Sequence, residues 1–172
     1  FYINYYDEGY VKLDDWKNVN SSDLLKDLEE SAKEGKQFYV ERNLPFATKF
    51  QWIFDPYLNT ENRSVSYSYK VFWSNGDESM ETKNIILGKK GYFDTAYVVN
   101  TKNKNVDFKE EASYAKDFVN GVVFNDGFQH SDFKPGDKIA AVGVGSLVAG
   151  SLGAKVIAKT GFLAKFLPLL AK

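Results

Sequence analysis

Between positions 64 and 71 the chain alternates strictly. Val65, Tyr67, Tyr69, Val71 and Trp73 are large and apolar, and Ser66, Ser68 and Lys70 stand between them. Side chains along a strand point to opposite faces in turn, so this pattern predicts a β-strand with one covered face. The neighbouring segments follow the same rule. Residues 50–54 form a short apolar run that Asp55-Pro56 is expected to end, and 59–63 read as a turn. Asn75-Gly76 is a hairpin signal, because the favoured two-residue turn needs φ > 0 at both central positions. Strands are expected over 79–87 and 92–100, the latter with Phe93, Thr95, Tyr97 and Val99 opposite Asp94 and Ala96. Together these segments predict an antiparallel meander.

Helical patterns flank it. Asn20 is an N-cap for a helix over 21–34, whose apolar stripe is Leu24, Leu25, Leu28 and Ala32 and whose stop is Gly35. Asp107 and Glu110 form a capping box for a second helix with Phe108, Ala112, Ala115, Phe118, Val119 and Val122 on one face. Tyr2, Tyr5, Tyr6, Tyr10 and Val11 give a strand over 1–13, while 36–46 carry no regular period and include Pro45. Helices before and after an antiparallel sheet predict an α+β sandwich in residues 1–134. At 172 residues, 44% of them hydrophobic, the chain has the material for one such core and a tail.

The tail spans residues 135–172. From Ile139 to Ala158 the one charged residue is Lys155, and a helix of about 20 residues matches the hydrocarbon core of a bilayer. A single transmembrane helix is the favoured reading, ahead of a hairpin broken near Thr160-Gly161 or a buried helix. Ala141, Gly145, Ala149 and Gly153 recur every fourth position, with Ser146, Gly150, Ala154 and Ala158 in a second row beside them. Such rows let membrane helices approach closely, which predicts self-association or docking onto another membrane subunit. Lys155, Lys159, Lys165 and Lys172 mark the inner interface and put the C-terminus in the cytoplasm. Asp137 is placed to cap this helix.

Chemistry-bearing residues are sparse. There is no cysteine, hence no disulfide, thiolate ligand or thiol nucleophile. A net charge of -1 argues against nucleic acid as a partner. His130, the lone histidine, lies near Asp126 and Asp132 and could bind a divalent cation or act as a base, but a polar turn explains the segment better. Asp14 and Asp15 are adjacent, so on a strand they would point to opposite faces, and a local role in the loop or at the start of a helix is favoured over acid–base work. Gly143-Val144-Gly145 lacks the later spacing of a phosphate loop. The face with Tyr67, Tyr69 and Trp73 could hold a ligand, though packing against helices is its simpler use. No catalytic residue, metal ligand or cofactor is therefore expected.

Several segments together resemble an uncharacterised bacterial family of predicted membrane-anchored proteins, a domain of unknown function. They are Gly9-Tyr10-Val11 with Asp14-Asp15-Trp16, Trp52 with Pro56-Tyr57, Ile86-Leu87-Gly88 with Gly91, Val123-Phe124-Asn125 with Gly127, Ser131-Asp132-Phe133, and Asp137-Lys138-Ile139-Ala140-Ala141. The resemblance implies export through a signal peptide upstream of Phe1, a periplasmic domain, and a helix in the bacterial inner membrane. The element order is also similar to the Mog1/PsbP-like fold, whose members are mostly binding or assembly modules. The functional expectation is a non-enzymatic accessory or scaffold subunit of a membrane complex, held in the bilayer by its tail. The alternative is an envelope sensor or carrier that binds a small molecule, lipid or glycan, and a metal-dependent hydrolase comes last.

Overall fold

The computed structural model describes residues 1–100 and 106–152. Five antiparallel strands form one sheet in the order β1-β5-β4-β3-β2. They are β1 (Tyr2–Tyr6), β2 (Ala47–Asn59), β3 (Ser64–Trp73), β4 (Glu78–Leu87) and β5 (Tyr92–Asn100). Strands β2 to β5 are the expected meander, and β1 joins the far edge beside β5. Helix α1 (Ser21–Val40) and a short α3 (Val144–Ser151) cover one face, and α2 (Phe108–Asp117) covers the other. This is the α+β class expected from the pattern of elements.

The faces follow from the register. Val65, Tyr67, Tyr69 and Val71 are buried with Leu24 of α1 and with Val144, Val148, Ala149 and Leu152. The opposite face departs from expectation. Ser64, Ser66 and Ser68 are buried too, beneath α2 with its Ala112 and Ala115. Burying hydroxyls is costly unless they are bonded. Here Ser66 bonds Asn84, Ser68 pairs with Thr82, and Asn84 donates to Thr95 and to the Ala115 carbonyl.

Three element boundaries differ from the sequence reading. Strand β2 runs through Asp55-Pro56, because it is an edge strand with register shifts between Trp52 and Phe54 and between Phe54 and Tyr57, where a missing N–H is tolerated. Helix α1 passes Gly35 and ends before Asn43, which takes φ 53. Its last turns are held by a Gln37–Glu41 hydrogen bond and by Arg42 over the Phe38 ring. Strand β1 covers only the start of the predicted 1–13, since the chain then turns into a 3-10 segment at Asp14–Asn18.

The largest correction concerns the tail. Residues 139–143 are not helical. Tyr10 and Ile139 form a parallel bridge, Tyr10 N–H donates to Lys138 O and Ala140 N–H to Tyr10 O. Helix α3 then runs only from Val144 to Ser151, and among the described residues no helix is long and apolar enough to cross a membrane. Its apolar residues face protein: Val144 and Val148 are 0% exposed. Each such side chain contributes about 1.5–3 kcal/mol when fully buried. Val144, Val148, Ala149 and Leu152 thus belong to the same core as the sheet.

Asp15 holds this arrangement. Its carboxylate accepts from Gly145 N–H (2.9 Å), Ser146 N–H (2.9 Å) and Ser146 Oγ (2.9 Å). That satisfies the free amides of the α3 N-terminus from a distant segment, where an anion is also favoured by the helix dipole. Gly143 permits the approach, because a Cβ there would lie 2.4 Å from Asp15 Oδ1. Asp137, expected to cap the tail helix, instead accepts from Lys134 N–H and pairs with Lys89. We expect Asp15→Ala to lower the unfolding free energy by about 2 kcal/mol, measured by urea titration, and Gly143→Ala to be destabilising through the same contact.

Candidate functional site

The most site-like feature is a cavity of about 360 Å³ between the C-terminal half of α1 and the sheet. Its origin is legible in α1. Leu28 and Ala32 lie on the face that packs against the sheet, and the helical period carries that face on to Gly35 and Tyr39. At Gly35 there is no side chain, and a Cβ there would meet nothing within 4 Å. The helix therefore bridges an opening that a larger residue would fill.

Around the opening stand Tyr39, Phe46, Phe50, Tyr69 and Trp73, with Ser79 and Glu81 from β4. Volumes of this size and linings of this kind suit small-molecule sites. The polar groups are fixed. The Trp73 indole N–H donates to Ser79 Oγ at 2.9 Å, and Tyr69 donates its hydroxyl to Glu81 Oε2 at 2.5 Å. Burial, and then the Glu81 carboxylate, push the Tyr69 phenol far above its usual range, which keeps it a donor.

Glu81 is in the cavity because of one turn. The β3–β4 connection is a three-residue loop. Gly76 N–H donates to Trp73 O, Trp73 N–H to Asp77 O, and Gly76 alone in the loop has positive φ (86°). This pairs Tyr69 with Glu81 and Val71 with Ser79. The two-residue turn read from Asn75-Gly76 would have set Tyr69 against Thr82 and sent Glu81 to the α2 face. Sequence reasoning thus reached Tyr69 and Trp73 but missed Glu81, Phe46, Phe50 and Tyr39. The signal lay in Ser74, which lengthens the loop.

The other candidates are spread over structural roles. His130 is 4% exposed, its Nε2–H donates to the Val11 carbonyl at 2.8 Å, and its ring stacks on Tyr10. Asp132 accepts from Gln129 N–H, and among the described residues no group of three or more His, Asp and Glu could hold a metal ion. Asp15 caps α3, while its neighbour Asp14 is exposed. Of the small-residue rows, Gly145 is buried against Asp15 and Val19, Ser146 is bonded to Asp15, and Ala149 is in the core, while Ala141 and Gly150 are exposed. Gly153, Ala154 and Ala158 lie outside the described residues, as do Lys155, Lys159, Lys165 and Lys172.

Burial holds the His130 pKa below its ordinary 6.5, outweighing the bond to Val11, which acts the other way. The unfolded chain therefore takes up this proton first as pH falls. Stability contributed by neutral His130 is fully present above about pH 6.5 and is lost as pH drops toward the lower folded value. Unfolding free energy measured from pH 7.5 to 5.5 is expected to fall, with a shallower fall in His130→Gln. With one histidine in the chain, no other imidazole can supply that slope.

Comparison with known proteins gives a family without an activity. The model of a protein family of unknown function, DUF2167, matches residues 1–172. No curated protein and no solved structure matches.

Proposed function

The chain belongs to the DUF2167 family, and on that premise we propose that it is a non-enzymatic binding module of the bacterial envelope, whose working part is the aromatic cavity beneath α1. The ligand is a small molecule, or the exposed part of a lipid or glycan. The observation that carries this reading is the cavity itself: a half-open space of about 360 Å³ among the described residues, on the aromatic face of the sheet, with Gly35 at its opening.

Location at the inner membrane, with the described domain on the periplasmic side, belongs to the same proposal. Its support is the family resemblance and the Lys-punctuated apolar run over 153–172. The accessory-subunit reading has less support than the sequence suggested. Gly145, Ser146 and Ala149, members of the rows meant for helix association, are engaged within the domain.

A neutral apolar fluorophore, N-phenyl-1-naphthylamine, tests the cavity. The folded chain is expected to bind it with a saturable rise in emission. Gly35→Leu should abolish the rise while keeping the unfolding midpoint, and Gly35→Ala should raise stability by about 0.5–1 kcal/mol, as for a glycine in a helix interior. Unchanged emission with Gly35→Leu would contradict the assignment.

A further inference from the structure

The charge inside the cavity narrows what it can hold. Glu81 projects from β4 on the same face as Tyr69, and the Tyr69 hydroxyl is the one hydrogen-bond donor its carboxylate has among the described residues. The nearest lysines along the strands are spoken for: Lys70 pairs with Glu78 at 2.7 Å and Lys83 with Asp94 at 2.7 Å. Among the described residues no Lys or Arg lines the cavity. A carboxylate on the wall of a largely apolar cleft attracts a cation, the more so once the ligand displaces water from the cleft.

The walls have the same preference. Phe50, Tyr69 and Trp73 are aromatic, and aromatic faces attract cations, most strongly where water is displaced. The rim already displays the interaction, with Lys36 Nζ 4.4 Å from the centroid of Phe46. A small inorganic ion would leave the apolar walls unused, and an anion would be repelled by Glu81.

We infer that the cavity selects an organic cation, of the quaternary or alkylated ammonium class, whose charge sits against Glu81 and whose methyl groups meet the aromatic walls. This rests on the binding reading above and specifies its ligand class.

The test compares choline with its uncharged isostere 3,3-dimethylbutan-1-ol on the full chain. Binding is followed by the NMR shift of the Trp73 indole N–H and by displacement of the neutral fluorophore. Choline is expected to bind at least about tenfold more tightly than the alcohol. In Glu81→Gln, which can still accept from Tyr69, the preference should shrink to about threefold or less while fluorophore binding persists. Equal binding of the two probes, or a preference that survives Glu81→Gln, would overturn the cation assignment and leave the cavity reading standing. If choline fails to bind where the fluorophore does, the cation assignment falls alone. If neither binds, both readings fall.

Discussion

The carboxylate of Asp15 takes hydrogen bonds from two amides and a hydroxyl of helix α3, the first of them at Gly145, 130 residues further along the chain. That contact joins the two ends of the described fold. It seats α3 on the sheet, and α3 supplies the side chains that cover Val65 and Tyr67. Tyr67 is then tied to α3 directly: Ser151 gives its one proton to the Val148 carbonyl, so the Tyr67 hydroxyl donates to Ser151 at 2.5 Å. With α3 on one half of the aromatic face and α1 on the other, the remaining gap under the end of α1 is a half-open cleft. The small residues near Val144 serve this contact, since a side chain at Gly143 would strike the Asp15 carboxylate.

Much of the architecture was legible because it depends on local rules. The strand at Ser64–Trp73, the Asn20 and Asp107 caps and the meander all follow from period and capping chemistry. What could not be read depends on long-range partners. An apolar, uncharged run beginning at Ile139 has the same composition whether lipid or a protein sheet covers it, and only the position of Asp15 distinguishes the two. Likewise Ser66 and Ser68 look like solvent-facing residues until α2 covers them and Asn84 and Thr82 supply their partners. The site was hidden by a single residue of register. Counting Ser74 into the hairpin loop moves Glu81 from one face of the sheet to the other, and the chemistry of the cavity moves with it.

These features belong to one physical design. The aromatic residues that fill the face beside α3 also line the space beneath α1, where Gly35 withholds a side chain. The polar atoms there are fixed by neighbouring strands, with Trp73 held by Ser79 and Tyr69 by Glu81. A wall fixed in this way loses little freedom when it receives a ligand, which favours binding. The sole histidine and its neighbouring carboxylate Asp132 are committed to backbone contacts.

The most direct measurement is native-state hydrogen exchange of the intact chain in detergent-free buffer, read at the amides of Val144, Gly145 and Ser146. All three are bonded to the N-terminal segment, through Lys12 O and the Asp15 carboxylate. If Asp15 seats α3 as part of the core, these amides exchange only through global opening, with the same protection free energy as the amides of β3 and β4. Free exchange at these positions while β3 and β4 stay protected would contradict the account and return the segment after Ile139 to a separate, membrane-directed tail.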